Sequence, residues 1–140
     1  MEVCNINIWD AYDAGHLIAI TTNGTVKKDG SAVLGAGVAK QATERFPWLP
    51  SALGDHIRHS GNVLGRFGDI YTFPVKHNWY EAADLSLIKN SYLDLVASLQ
   101  GDTIFLPKPG CGNGKLKWKD VAFVLQPIAE SNIIIVDYKI

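Results

Sequence analysis

Ile104-Phe-Leu-Pro-Lys-Pro-Gly110-Cys-Gly112-Asn-Gly114-Lys-Leu-Lys-Trp118 is an apolar run that ends in a loop with a glycine at every second position. The pattern reads as a strand over residues 103 to 106 that delivers a loop to a site. Glycines spaced this way let successive backbone N–H groups turn toward one point, and such a nest holds an anion, most often a phosphate. The triphosphate pattern GxxxxGK(S/T) does not fit. For a match ending at Gly114-Lys115, the first glycine position is Pro109 and the Ser/Thr position is Leu116. A tight glycine turn that binds nothing is the plain alternative for the loop by itself.

Upstream of this strand, Leu85, Ile88, Tyr92, Leu95, Val96 and Leu99 recur at helical spacing, with Asp84 or Ser86 available as N-cap and Gly101 near the end. Before that helix, residues 62 to 67 and 70 to 75 read as two strands joined by the turn dipeptide Gly68-Asp69, a hairpin that runs into Pro74-Val75-Lys76-His77-Asn78-Trp79. Near the N-terminus, residues 3 to 9 read as a strand ending at Asp10, and residues 17 to 22 as a strand buried on both faces that ends at Asn23-Gly24. A second glycine-rich stretch follows, and Gly35-Ala36-Gly37-Val38 opens a helix carrying Ala39, Ala42 and Phe46 up to Pro47. Leu49, Leu53 and Ile57 space another helix, closed by Gly61. Downstream of the opening stretch, Val121, Val124, Leu125 and Ile128 mark a helix that Pro127 kinks, and residues 132 to 137 a closing strand.

Strands alternating with helices, several of them continuously apolar, predict a three-layer α/β/α domain with a mostly parallel central sheet, made mixed by the hairpin. The chain of 140 residues, 47% of them apolar, is expected to form a single domain over residues 1 to 140. Ligands of such sheets bind outside the carboxyl ends of the strands. Asp10, Asn23, Lys76 and the loop 110 to 114 all follow predicted strands, so one crevice is expected to collect them. A helix N-terminus after the Gly35-Ala36-Gly37 loop adds donors and a positive dipole end, so the two glycine loops together suit a diphosphate. A dinucleotide-binding fold is not favoured, because Gly35-Ala36-Gly37-Val38-Ala39-Lys40 lacks the third glycine.

The formal charge of −1 implies no overall basic field. Lys108, Lys115, Lys117 and Lys119 crowd the glycine loop, with Lys27 and Lys28 near the other, and read either as a basic rim or as ordinary solvated lysines. With Cys4 and Cys111 the only cysteines, no apolar leader and no run long enough to span a bilayer, a reduced cytoplasmic protein is expected, monomeric and off the membrane. No metal site and no cofactor are indicated. His56 and His59 share helical spacing but lack a partner cluster. Cys111 beside His77 is a weak case for a thiol hydrolase, and the four tryptophans read as packing rather than as a base-stacking platform.

The ordered set Thr-Thr-Asn23-Gly24, Gly35-Ala-Gly37-Val38-Ala39 and Pro-Gly110-Cys111-Gly112-Asn113-Gly114 resembles the substrate loops of the macrodomain family, the ADP-ribose-binding α/β module. The resemblance covers nearly the whole chain. Phe73-Pro-Val-Lys76-His-Asn-Trp79, with Gly110-Cys-Gly112 and Leu116-Lys-Trp118, is most similar to the branch containing the terminal ADP-ribose glycohydrolases and the DarG antitoxin, in which the lysine of this motif is catalytic. It implies a macrodomain-like fold and a ligand that is ADP-ribose or an ADP-ribosylated macromolecule, DNA among them. It further implies a ligand set of Asp10 toward the adenine amino group, Asn23 toward the distal ribose, and Gly35, Gly37, Val38, Gly110, Cys111, Gly112, Asn113 and Gly114. Two positions depart from the family. Ile20 stands where many members carry an earlier asparagine, and Gly114 where glycohydrolases acting on protein acidic residues carry an aspartate.

Lys76 is the expected catalytic residue. A neutral amine there attacks the anomeric carbon, or its cation stabilises charge on the leaving group, and the first role calls for a depressed pKa. A lysine that only pairs with a phosphate is the other reading. Three functions remain open: a hydrolase removing ADP-ribose from nucleic acid or protein, a reader without turnover, and a phosphatase acting on ADP-ribose 1″-phosphate.

Overall fold

A computed structural model describes residues 1–137. Its six strands form one sheet in the order β1-β6-β5-β2-β4-β3, where β1 is Val3–Cys4, β2 Leu17–Asn23, β3 Gly65–Phe67, β4 Ile70–Lys76, β5 Ile104–Pro107 and β6 Ile133–Val136. All neighbours pair in parallel except β3 with β4. The mixed, mostly parallel sheet is therefore as expected, with the hairpin at one edge. Ile18, Ala19 and Ile20 are fully buried, as the unbroken apolar run of a strand covered on both faces requires.

Helices α1 (Ile8–Asp13), α2 (Gly37–Arg45) and α3 (Leu49–Ser60) contribute Ile8, Trp9, Ala39, Ala42, Leu49 and Leu53 to one core with Ile18, Ile20 and Ile70. Helices α4 (Leu85–Ser98) and α5 (Trp118–Leu125) contribute Ile88, Tyr92, Leu95, Val121 and Leu125 to the other, with Ala19, Tyr71, Phe73, Ile104 and Ile135. Helices on both faces complete the three layers. Each fully buried large side chain on α4 stabilises the domain by about 1.5–3 kcal/mol relative to exposure. Asp84 caps that helix by accepting the Ser86 N–H at 2.8 Å, an arrangement that contributes about 1 kcal/mol. Pro127 ends α5 in a 3-10 turn over Gln126–Ile128, because it cannot donate the next helical hydrogen bond. No helix among the described residues is long and apolar enough to cross a membrane.

Two expectations need correction. The first strand stops at Cys4, and Ile8–Asp13 is a helix. Asn7 accepts the Trp9 N–H at 3.0 Å as N-cap, and Ile8, Trp9 and Ala11 bury a helical face that outweighs their β preference. Asp10 thus lies in the first turn of α1 rather than at a strand end. The first hairpin strand is also shorter than residues 62 to 67. The Asn62 side chain donates instead to the Lys76 carbonyl at 2.9 Å, and only Gly65–Phe67 pairs.

Candidate functional site

The sheet order reverses at β2, which has β4 on one side and β5 on the other. With β4 it pairs along its length, to Asn23↔Lys76. With β5 it pairs only at Leu17↔Ile104 and Ile18↔Phe105. The strands separate beyond Ile18, and a crevice at a switch point is the usual binding place in such sheets.

At its β4 wall the backbone is closely tied. The Gly24 N–H donates to the His77 carbonyl at 3.1 Å. Thr25 Oγ1 accepts the Trp79 N–H at 3.0 Å and reaches Asn78 Oδ1 at 3.4 Å. Gly24 is glycine by necessity, since a Cβ there would stand 2.7 Å from the His77 carbonyl oxygen and 2.8 Å from the Asn62 side chain. These bonds hold Lys76 opposite Asn23, and Lys76 Nζ donates to the Trp79 carbonyl at 3.3 Å. The Asn23 amide is partly spent on the fold. It donates to the Val33 carbonyl and accepts the Thr25 N–H, both at 3.0 Å, which leaves one N–H and one lone pair for a ligand. Thr25 was not legible as a site residue, although it directly follows Asn23-Gly24.

The loop after β5 is built differently. Gly110 has φ +78°, and a Cβ there or at Gly114 would meet Ala83 Cβ at 2.9 and 2.8 Å, so these two glycines serve packing. Gly112 faces open space and has no positive φ, so the conformational reason expected for a glycine there does not apply. Besides Gly110, the left-handed residue of this loop is Lys115 (φ +65°), whose N–H closes a turn onto the Gly112 carbonyl at 3.1 Å. The N–H groups of Gly112, Asn113 and Gly114 donate to no acceptor among the described residues. The same holds for Gly37, Val38 and Ala39, because Ala36 at the N-cap of α2 offers no side-chain oxygen. Gly35 and Gly37 are exposed and Val38 half-buried. The Val33 carbonyl bonded by Asn23 ties this segment to the end of β2, and the Ala83 N–H, donating to the Gly114 carbonyl at 3.0 Å, ties the other loop to the β4–α4 connection.

Asp10 is exposed on α1, which packs against β2 and β5, and its carboxylate has no partner among the described residues. Burial pushes the Cys111 thiol up, with Asp137 adding to the effect and Lys108 opposing it, so the thiolate is disfavoured. His77 bonds Asp84 at 2.7 Å rather than Cys111. The weak case for a Cys111–His77 pair therefore has no support, and the His77–Asp84 bond joins residues seven apart that no motif links. Lys108 does not belong to a free basic rim. Its Nζ lies 2.9 Å from Asp137 Oδ2 and over the Trp118 ring, whereas Lys115, Lys117 and Lys119 are exposed. His56 and His59 each contact a backbone carbonyl, at 3.0 and 2.7 Å. Among the tryptophans, Trp9 is core and Trp118 half-buried, but Trp48 and Trp79 are exposed. A surface depression lined by Gly101, Glu130, Ser131 and Asn132 lies at the opposite, amino-terminal ends of β5 and β6.

No family model matches the sequence. The chain is 26% identical over 125 residues to a DNA ADP-ribosyl glycohydrolase of Mycobacterium tuberculosis, an alignment covering 79% of this chain and 36% of the relative. It is 28% identical over 113 residues to one of Thermus aquaticus, covering 71% and 31%. The chain thus spans about a third of the length of the curated relatives it matches. Among solved structures, the macrodomain of Thermus aquaticus DarG superposes with a TM-score of 0.75 at 25% identity, covering 99% of this chain and 97% of that one. The macrodomain of Mycobacterium tuberculosis DarG gives 0.74 at 19% identity, with 96% and 95% covered. Thermosipho africanus DarTG in complex with ADP-ribose gives 0.66 at 19%, with 89% of this chain and 38% of that one. The chain has the macrodomain fold, and the solved structures it resembles include the DarG macrodomains.

Proposed function

We propose that the chain binds ADP-ribose in the crevice between β2 and β5 and hydrolyses an ADP-ribosyl linkage to DNA, with Lys76 as the catalytic residue. The observation that carries this reading is Lys76 held opposite Asn23 at the strand ends, with two sets of backbone donors without acceptors among the described residues in the segments that follow β2 and β5. Those donors, at Gly112, Asn113, Gly114 and the first turn of α2, suit the diphosphate. The remaining N–H and lone pair of Asn23 suit the distal ribose diol. Asp10 is assigned to the adenine amino group. Names of curated relatives and the ADP-ribose complex of a structural relative support the same assignment.

Hydrolysis breaks the bond between the anomeric carbon and its carrier, and the carrier departs with the electron pair and takes up a proton. As a cation, Lys76 offsets that developing charge and supplies the proton, while water bonds the anomeric carbon and the proton it sheds restores the lysine. As an amine, it bonds the anomeric carbon itself, and water then releases ADP-ribose and restores the lysine. Cys111 takes no part. The setting this reading takes is a single-domain monomer in the cytoplasm, consistent with the free thiols Cys4 and Cys111.

A reader without turnover is the second reading, favoured by the bond that occupies Lys76 Nζ on the Trp79 carbonyl. Lys76→Ala separates the two. In a hydrolase, single-turnover release of ADP-ribose falls on the order of a hundredfold or more, while calorimetric affinity for ADP-ribose changes little. Unchanged release with affinity weakened about tenfold removes Lys76 from catalysis.

A further inference from the structure

The loop that follows Lys76 carries two large aromatic side chains outward. Trp79 is 55% and Tyr80 69% exposed, and their rings meet edge to face at 5.7 Å. Solvent-facing aromatics on a mobile loop would carry little meaning, but this backbone is fixed. The Trp79 N–H donates to Thr25 Oγ1 at 3.0 Å, and its carbonyl accepts Lys76 Nζ at 3.3 Å. Asn78 closes the turn, accepting the Glu81 N–H at 3.1 Å on its carbonyl and donating its amide to Glu81 Oε1 at 2.7 Å. The residue that presents the indole is therefore the one hydrogen-bonded to the proposed catalytic amine. Trp48, similarly exposed at 51%, is unlike it, because its ring packs against Phe46 and Phe67 at 5.8 and 6.5 Å.

We propose that Trp79 and Tyr80 form a stacking platform for the nucleobase that carries or adjoins the ADP-ribosyl group in single-stranded DNA. The inference rests on the function proposed above and names the side of the substrate beyond the scissile bond. A flat π-face suits any base, and stacking on an aromatic ring is tolerant of sequence. Charge at this mouth is compatible with a phosphate backbone. Exposed Lys115 follows Gly114, whose carbonyl is bonded by Ala83 three residues after Tyr80, and Lys117 lies just beyond. Two carboxylates also stand near the platform, Glu81 accepting from the Asn78 amide and Asp84 bonded to His77, so the phosphate contacts fall to the lysines. The proposal gives Trp79 a role other than the core and rim packing that the sequence favours for the tryptophans.

The test is an affinity ratio measured in the Lys76→Ala background: binding of a short single-stranded oligonucleotide carrying ADP-ribose on one base, divided by binding of free ADP-ribose. A platform makes the oligonucleotide bind about tenfold tighter or more, and Trp79→Ala removes most of that advantage while leaving free ADP-ribose affinity within about twofold. Trp79→Phe restores most of the ratio, Tyr80→Ala removes a smaller part, and Phe123→Ala on α5 removes none. A ratio near one, a ratio indifferent to Trp79→Ala, or an equal loss with an ADP-ribosylated protein overturns the platform. Loss of free ADP-ribose binding in Trp79→Ala also overturns it, by making Trp79 a wall of the ADP-ribose pocket. Turnover by the otherwise wild-type protein is scored separately. No release from any carrier sinks the hydrolase reading, yet the ratio still reports on the platform.

Discussion

At the ends of β2 and β4 the polar groups are paired with one another, whereas in the loop after β5 three successive N–H groups have no acceptor among the described residues. Asn23, Gly24, Thr25, Asn62 and Asn78 use their hydrogen bonds to fix where Lys76 stands. Gly112, Asn113 and Gly114 leave theirs for something else. The difference separates two kinds of glycine in one site. Gly24 allows the chain to close on itself, and Gly112 stands beside open space.

The sharpest way to break this contrast is Gly112→Val. Its side chain meets nothing in the folded chain and incurs no left-handed strain, so the melting temperature should hold within a degree or two. The isopropyl group would stand over the open donors, and ADP-ribose affinity should fall on the order of a hundredfold, in line with losing hydrogen bonds to a charged group. Retained affinity in calorimetry would mean that the diphosphate sits elsewhere. Gly24→Ala should do the opposite. With a Cβ pressed against the His77 carbonyl and Asn62, it should lower stability by about 1–3 kcal/mol, read by urea denaturation. Affinity should weaken only in step with the displaced Asn23 and Lys76.

A smaller effect tests the paired wall through pH. The hydrogen bond from His77, followed by that from the Ser86 N–H, holds the Asp84 carboxyl below its usual value of 3.8. A depressed carboxylate contributes stability that is fully present above that usual value and is lost as pH falls through the lower folded one. Asp84→Ala should therefore be less stable than wild type near neutrality, by about 1 kcal/mol for the lost cap. The gap should narrow as both are acidified below about pH 4. A gap that widens in acid would contradict the assignment.

The frame was largely legible in the sequence because its signals are local. Gly68-Asp69 announced the hairpin, the spacing from Leu85 to Leu99 announced α4, and Leu17 to Thr22 announced a doubly buried strand. The stretch around Trp9 was misread because its competing terms, an Asn7 cap and burial against the sheet, are not carried by β preference. Within the site, the positions of Asn23 and Lys76 followed from strand ends, but the division of labour among the glycines did not. Whether a glycine packs, turns or opens depends on what lies opposite, and Ala83 lies more than twenty-five residues before the loop it supports. The ion pair of Lys108 was hidden for the same reason, since its partner Asp137 comes from the far end of the described chain.

Ala83 has a consequence of its own. A Cβ added at Gly110 or Gly114 would fall within 3 Å of the Ala83 methyl, and one at Gly114 would also fall 2.4 Å from the Gly110 carbonyl oxygen. In evolutionary terms these three positions cannot drift one at a time. Any larger residue at 83 demands that the loop recede, and any side chain at 110 or 114 demands the same of 83. Position 112, two positions from either glycine, is free of that pact. Directed variation of the domain would accordingly find two kinds of silence in one short loop: an inherited triplet that changes together or not at all, and a single position whose side chain meets nothing in the folded chain.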